Sequence, residues 1–213
     1  MKLNISMLIL VFLSFFNIGA VSTDNMKICC FKDLEIRCKN DSSFVENGIK
    51  IQYTTENSIK QERDIICKYI QSNFVVNNYQ INKNEISFDE KEIKIKVDLW
   101  NDNQYTYVVL TAINSNKSCN TEQLANMFKD LIECRVDNIQ HYRYYKGQIT
   151  PDEKNEYGKC INKIINNVNI LTLNNGYTGN GYCNDGEKVN FAVSNYDTGA
   201  YIIIGTPIIF VTY

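Results

Sequence analysis

The sequence predicts an α+β protein of two halves, each with the element order β-α-β-β-β and an antiparallel sheet packed against helices. Three segments combine a helix N-cap with an apolar stripe of helical spacing. The segments between them alternate apolar and polar residues with period two, as from Ile93 to Leu99. The helix after the first strand of each half also carries a cysteine nine or ten residues beyond its N-cap, at Cys67 and Cys160. Antiparallel sheets backed by helices are the simplest architecture for this order.

Each predicted helix begins at a capping residue. Ser58 with Gln61 forms a capping box, and Asn120 with Gln123 opens the second helix in the same way. Thr150 opens the third, where proline follows at the first helical position. The apolar stripes after these caps have the spacing of one helix face: Ile59, Ile66, Tyr69, Ile70 and Phe74; Leu124, Met127, Phe128, Leu131 and Ile132; Tyr157, Cys160, Ile161, Ile164, Ile165 and Val168.

The remaining periodic segments are predicted strands joined by turn residues. Asn101-Asp102-Asn103 and Asp197-Thr198-Gly199 are the predicted turns of two hairpins. Pro207 has no backbone donor, so we expect it at a bulge or an edge of the sheet. The predicted strands are Ile49 to Tyr53, Ile93 to Leu99, Tyr105 to Ile113, Ile139 to Lys146, Asn169 to Leu173, Val189 to Asn195 and Tyr201 to Val211.

The N-terminal residues have the composition of a secretory leader. Lys2 precedes an apolar run from Met7 to Val21, and the small residues Gly19, Ala20 and Ser22 suit a signal peptidase. The run spans about 15 residues, fewer than the roughly 20 that cross a bilayer. We therefore expect a cleaved leader, an extracytoplasmic or secreted protein, and no stable membrane anchor after cleavage.

These patterns divide the chain into three parts. Residues 1–23 are the expected signal peptide, residues 24–136 the first α+β half and residues 137–213 the second half. The mature chain is long enough for one sizeable core or for two small subdomains that share it, and no proline-rich or low-complexity linker separates the halves. We expect the halves to form one compact domain.

Charge disfavours one class of partner. The chain has 22 Lys plus Arg against 24 Asp plus Glu, which gives a formal net charge of −2. A dedicated nucleic-acid binder would present an excess of basic residues to the phosphates. We therefore expect no nucleic-acid partner.

All eight cysteines follow the leader, and an even number in an exported chain predicts disulfides. Eight cysteines can pair in about 105 ways, so the connectivity is open. In a reducing environment some of them would instead remain thiols. No Cys-x-x-Cys is present and there is one histidine, so neither a zinc site nor another cofactor is expected. The candidates for disulfides are Cys29, Cys30, Cys38, Cys67, Cys119, Cys134, Cys160 and Cys183.

Aromatic and basic residues alternate from His141 to Lys146. On a strand, His141, Arg143 and Tyr145 share one face, and Tyr142, Tyr144 and Lys146 share the other. Such a face suits stacking on sugars or on side chains of a partner, although tyrosine is also a good strand former that packs on helices. The residues of the candidate binding surface are His141, Tyr142, Arg143, Tyr144, Tyr177 and Tyr182.

The last two of these residues belong to a glycine-rich segment, Gly176 to Gly186. It lacks the Gly-Lys-Ser/Thr ending of a phosphate-binding loop and leads into a strand. We interpret it as a long hairpin connection held by Cys183, and as a binding loop in the second place.

The C-terminal segments Lys188 to Tyr196 and Tyr201 to Ile209, with a closing Tyr213, resemble the end of the YwmB-type family. Tyr145 to Ile149 and Asn175 to Thr178 are similar to two further segments of that family, in the same order. The resemblance is specific over roughly the last 70 residues. It implies an exported protein like those of low-GC Gram-positive spore formers, with a TATA-box-binding-protein-like pseudo-repeat. It implies no established enzymatic activity and carries over no catalytic residue.

The sequence thus favours an exported, non-enzymatic protein that binds another macromolecule, a protein or an envelope component, at the cell surface or envelope. One alternative is an extracellular enzyme that uses a thiol or loop carboxylates, although no catalytic residue can be named. Another is a disulfide-bonded secreted effector of a eukaryote, which would carry sugar on the sequons at Asn40 or Asn116.

Overall fold

A single antiparallel sheet of ten strands forms the centre of the structure, a computed structural model that describes residues 31–102, 104–133, 136–150 and 165–211. The elements follow the chain in the order α1 (Phe31–Asp41), β1 (Ser43–Thr55), α2 (Ile59–Asn73), β2 (Asn77–Ile81), β3 (Glu85–Glu90), β4 (Ile93–Asp102), β5 (Tyr105–Asn114), α3 (Thr121–Asn126), α4 (Lys129–Ile132), β6 (Asp137–Ile149), β7 (Asn166–Leu173), β8 (Gly176–Tyr182), β9 (Lys188–Tyr196) and β10 (Gly199–Thr206). The predicted α+β class is confirmed.

The strand order across the sheet is β2-β3-β4-β5-β1-β6-β10-β9-β8-β7. The first strands of the two halves, β1 and β6, pair at the centre, and four strands extend outward on each side. Each half therefore supplies four strands after its first one, rather than the predicted three, and the halves share one sheet. Neither β2 nor β3 is among the predicted strands. The residues of the short edge strand β2 are almost all exposed and do not alternate.

Alternation along the central strands gives the sheet two distinct faces. The face that carries Ile49, Ile51 and Tyr53 is covered by helices, and we call it the helical face. The opposite face carries Lys50 and Gln52, and we call it the open face. The helical face holds two buried clusters. One packs β1, β3, β4 and β5 against α2, α3 and α4, and the other packs β6, β9 and β10 against α1.

Two predicted helices begin where the sequence places them. Ser58 accepts from the backbone N–H of Gln61 to cap α2, and Asn120 accepts from that of Gln123 to cap α3. The capping boxes were recognisable because each needs only residues three apart. The second helix is interrupted, since α3 ends at Asn126 and α4 begins at Lys129. No described helix has the length and the hydropathy that crossing a membrane requires.

The predicted third helix lies mostly outside the described residues, which omit 151–164. Its predicted end is wrong, because Val168 lies in strand β7. Helix α1 had no predicted counterpart. It buries Phe31, Leu34 and Cys38 against the second half of the sheet.

The predicted last strand is too long. Strand β10 ends at Thr206, and residues 207–211 leave the sheet and turn back over the open face. There the side-chain amide of Asn190 donates to the carbonyl of Pro207, and the ring of Phe210 lies edge-on to Tyr144 with centroids 5.1 Å apart. Pro207 thus follows the end of a strand rather than marking a bulge or an edge, because its missing donor suits a segment that leaves the ladder.

Both predicted turns lie between paired strands, with one adjustment. Asp197 and Thr198 connect β9 to β10, and Gly199 begins β10 with a φ of +130°. Asn101 and Asp102 are the last residues of β4 rather than turn residues, since they pair with Thr106 and Tyr105. Asn103 lies outside the described residues.

Candidate functional site

The structure distributes the six residues of the predicted binding surface over both faces of the sheet. His141 and Arg143 pair with Ile51 and Ile49 and therefore lie on the helical face. Tyr142 pairs with Lys50 and lies on the open face. The predicted alternation along this strand is confirmed. A single surface that contains all six residues is not formed.

Tyr144 is part of the packing rather than of a binding surface. Its side chain is fully buried, and its hydroxyl donates to the carboxylate of Glu46 at 3.1 Å. Burial, together with this nearby carboxylate, raises the pKa of the Tyr144 phenol above its ordinary value. The ring lies beneath Phe210. Sequence reasoning could not find this burial, because it depends on residues 207–211 folding back.

Most of the glycine-rich segment is a strand, so its prediction as a long hairpin loop is wrong for residues 176–182. Residues 183–186 do form a short connection to β9, closed by backbone hydrogen bonds of Cys183 with Glu187 and Gly186. Residues 176–182 form β8 and pair with both β7 and β9. Tyr177 lies on the helical face against Phe191, with ring centroids 6.4 Å apart. Tyr182 lies on the open face, 40 % exposed, beside the outermost strand of its half. Glycine usually disfavours strands, but here it makes room for neighbouring atoms.

His141 and Arg143 line a groove of about 360 Å³ between β6 and the short helices α3 and α4. Burial and the neighbouring Arg143 guanidinium lower the pKa of His141 below its ordinary range. This shift favours the neutral form of the imidazole. The groove also contains Lys129 and Glu133, so charges of both signs face it.

A second recess, of about 350 Å³, opens on the other side of the sheet, across β4, β5, β1 and β6. We call it the aromatic recess. The rings of Trp100 and Tyr107 line it and stack in parallel, with centroids 5.6 Å apart and planes inclined by 9°. Trp100, the only tryptophan of the chain, is 43 % exposed. The nine lining residues are Gln52, Tyr53, Thr54, Trp100, Tyr107, Val108, Val109, Asn138 and Gln140.

A β-bulge shapes one side of the aromatic recess. The register between β1 and β6 shifts between Gln52 and Thr54, so β6 carries an extra residue there. Asn138 has a φ of +52°, a conformation that asparagine tolerates better than most residues. Its side-chain amide donates to the hydroxyl of Thr54 at 3.0 Å. Bulges of this kind redirect side chains and are frequent beside functional sites.

The recess offers hydrogen-bonding groups but no ionised ones. Gln140 accepts from the hydroxyl of Tyr142 at 2.7 Å through its side-chain oxygen, so its NH₂ group is still available. Within the described part of the chain, the side-chain amide of Gln52 has no hydrogen-bond partner. None of the nine lining residues is Asp, Glu, Lys, Arg or His.

The open face around the recess mixes charges of both signs. Lys96 bonds to Glu85 at 3.1 Å and to Asp98 at 2.9 Å, and these carboxylates raise the pKa of its ammonium group. Lys50 lies over the rings of Tyr142 and Phe210 rather than projecting freely. The described residues of this face therefore carry charges of both signs rather than a continuous basic patch.

Sequence reasoning missed the aromatic recess, although a signal was present. In the strand after Ile93, the polar face reads Lys94, Lys96, Asp98 and then Trp100. A large aromatic residue in a register that otherwise carries charge indicates exposed apolar surface. The sequence does not show that Gln140 lies beside the recess, since this depends on the pairing of Gln140 with Gln52.

The described cysteines form no disulfide with one another. Cys38, Cys67 and Cys119 carry free thiols, and Cys183 is buried in the same cluster as Cys38. The other four candidates, Cys29, Cys30, Cys134 and Cys160, lie outside the described residues. Disulfide bonding of the full chain stays a prediction. The described residues contain no group of His, Cys, Asp and Glu that could hold a metal ion.

Cys38 is expected to resist alkylation in the folded protein. Burial is the largest cause that raises the pKa of its thiol to about 12, followed by the carboxylates of Asp41 and Glu35. Because the thiolate is the nucleophile, a raised pKa keeps the group unreactive from pH 7 to 10. Iodoacetamide labelling with peptide mass spectrometry should show Cys38 modified slowly until denaturant is added, with the partly buried Cys67 as the internal comparison. Equal rates at both positions in buffer would contradict this.

Comparison with known proteins adds no family assignment. No protein-family model matches the sequence, and no curated protein matches it. The resemblance to the YwmB-type family therefore stays a prediction.

Proposed function

We propose that the protein is exported and acts as a non-enzymatic binding protein at the cell surface or in the cell envelope, with the open face as its binding surface. The observation that carries the proposal is the Trp100–Tyr107 stack, with Trp100 exposed, in an uncharged recess. Tryptophan and tyrosine are enriched where proteins bind partners, because each buries a large area at little conformational cost. The leader-like composition of residues 1–23 supports export.

We also propose that the two halves form a TATA-box-binding-protein-like pseudo-repeat. The order of strands supports this, because each half places its first strand at the centre and its next four strands in the same order from the edge inward. The C-terminal resemblance to the YwmB-type family points the same way. Such a fold does not imply nucleic-acid binding, and the mixed charges of the open face disfavour it.

The buried thiols and carboxylates support a binding role over catalysis. Cys38 lies within the core with a raised pKa. Glu35 is engaged with Asn47 and Thr121, and Glu62 accepts from Tyr53 and Asn57. These groups are occupied by contacts within the fold, whereas the Trp100–Tyr107 stack remains in contact with solvent.

Replacing Trp100 with alanine is expected to weaken binding to envelope preparations of the producing organism by about tenfold or more, because it removes the main exposed ring of the recess. A tenfold loss of affinity corresponds to roughly 1.4 kcal/mol. Cell fractionation first locates the protein, and co-sedimentation with purified envelopes then measures its affinity. The matched control is Tyr105→Ala, which removes an aromatic side chain of similar exposure on the same face but outside the recess. Unchanged binding by Trp100→Ala would contradict the proposal.

A further inference from the structure

We propose that the aromatic recess binds a neutral sugar unit of a glycan. This inference rests on the proposed function, because it names the chemical class of the partner that the same site takes. It is carried by three features of the lining: a fixed aromatic wall, side-chain amides with available hydrogen-bonding groups, and the absence of ionised residues.

The aromatic wall suits the C–H face of a pyranose ring. Trp100 and Tyr107 occupy paired positions on β4 and β5, and their parallel stacking holds each ring in place. A sugar ring presents several C–H groups on one face, and these pack on the electron-rich face of an aromatic ring. A preformed wall reduces the side-chain entropy lost on binding. The recess volume of about 350 Å³ lies at the lower end for ligand pockets, which suits a small unit of a longer chain.

The amides suit the hydroxyl groups of the same ring. Each side-chain amide offers two N–H donors and a carbonyl acceptor, and a sugar hydroxyl both donates and accepts. Gln52 and Gln140 pair across β1 and β6, so both side chains start from neighbouring positions on the open face and line one flank of the recess. Asn138 donates to Thr54, which leaves its carbonyl oxygen available to accept.

The absence of ionised residues favours a neutral glycan over other partners. An anionic ligand would find no cation among the nine lining residues. An apolar side chain of a partner protein would bury the amides of Gln52 and Gln140 without hydrogen bonds, which costs about 1–3 kcal/mol for each unsatisfied group. A hydroxylated ring satisfies the amides and covers the aromatic wall together.

The single tryptophan allows a direct test. Chitohexaose, cellohexaose and mannohexaose are titrated into the folded full-length protein while the emission of Trp100 is recorded. We expect at least one of these neutral oligosaccharides to shift the emission to shorter wavelength in a saturable way, because the ligand displaces water from the indole. Inorganic phosphate and polyuridylate, as charged probes, are expected to leave the emission unchanged.

Variants then locate the binding. Gln52→Ala should raise the dissociation constant of the active oligosaccharide about tenfold, whereas the control Gln71→Ala, an exposed glutamine on α2, should not change it. Trp100→Ala is measured by calorimetry, since it lacks the fluorophore, and should abolish detectable binding. Tyr105→Ala should bind as the unmodified protein does. Thermal unfolding of each variant confirms that it is folded.

The outcomes separate this inference from the proposed function. If no oligosaccharide shifts the emission, and protease treatment of the envelopes abolishes binding that depends on Trp100, the partner is a protein and the sugar assignment falls while the proposed function stands. If Gln52→Ala and Gln71→Ala affect oligosaccharide binding equally, the recess is not the sugar site. If Trp100→Ala binds envelopes normally, the proposed function and this inference both fall.

Discussion

Replacing Glu35 with alanine is expected to lower the free energy of unfolding by about 3 kcal/mol, the low end for removing one partner of a buried ion pair. The Glu35 side chain is 1 % exposed, and Lys39, four residues along α1, lies 3.3 Å from its carboxylate. Without the carboxylate, this ammonium group would lose its ionic partner in a site where only 12 % of the lysine side chain meets solvent.

The carboxylate of Glu35 also joins three parts of the fold. It accepts from the side-chain amide of Asn47 on β1 at 2.6 Å, and from the hydroxyl of Thr121 on α3 at 2.7 Å. The backbone N–H of Thr121 donates to it at 3.1 Å, so a negative charge lies at the N-terminus of α3, where the helix dipole favours it. Asn47 continues the network to Asn114 on β5.

Urea unfolding followed by circular dichroism measures this change. Glu122→Ala is the matched control, because Glu122 also pairs with a lysine, Lys32, but on the surface, where both side chains are about half exposed. Surface pairs contribute little, so its unfolding midpoint should stay close to that of the unmodified protein. Similar midpoints for Glu35→Ala and Glu122→Ala would show that the buried network does not stabilise the fold.

Replacing Gly179 with alanine is expected to lower the free energy of unfolding by about 3 kcal/mol, the upper end for overpacking a core position. Gly179 lies in the middle of β8 and faces the helical side. A β-carbon there would overlap the backbone carbonyl oxygen of Asn169 on β7 and approach the ring of Phe191 on β9 to 2.5 Å. The first obstacle is backbone, and the second is a fully buried ring, so neither can move without cost.

The sign of this effect distinguishes a strand from a loop. In a flexible loop, glycine to alanine often stabilises slightly by restricting the unfolded chain. The matched control is Asn180→Ala, one residue along the same strand on the open face, which should change stability by less than about 0.5 kcal/mol. A Gly179→Ala variant as stable as the unmodified protein, in the same urea titration, would contradict the packing described for β8.

Features of the fold that depend on residues close in the chain were predictable from the sequence, whereas features that depend on distant residues were not. The caps of α2 and α3 and the alternation of β4, β5 and β6 follow from residues a few positions apart, so the sequence predicted them. The glycines of β8 were interpreted as a loop because their role depends on Phe191 and Asn169. The sequence shows a lack of side chains there, but not the neighbours that fill the space.

The candidate site shows the same division. The sequence by itself determined which side chains share a face of each strand, that Trp100 interrupts a charged register, and that the chain has little net charge. Only the tertiary structure decided that β4, β5, β1 and β6 lie side by side, that Asn138 at a bulge bonds to Thr54, and that residues 207–211 cover Tyr144. The physical reason is that side-chain alternation is a property of one strand, whereas a recess depends on pairing between strands distant in the chain.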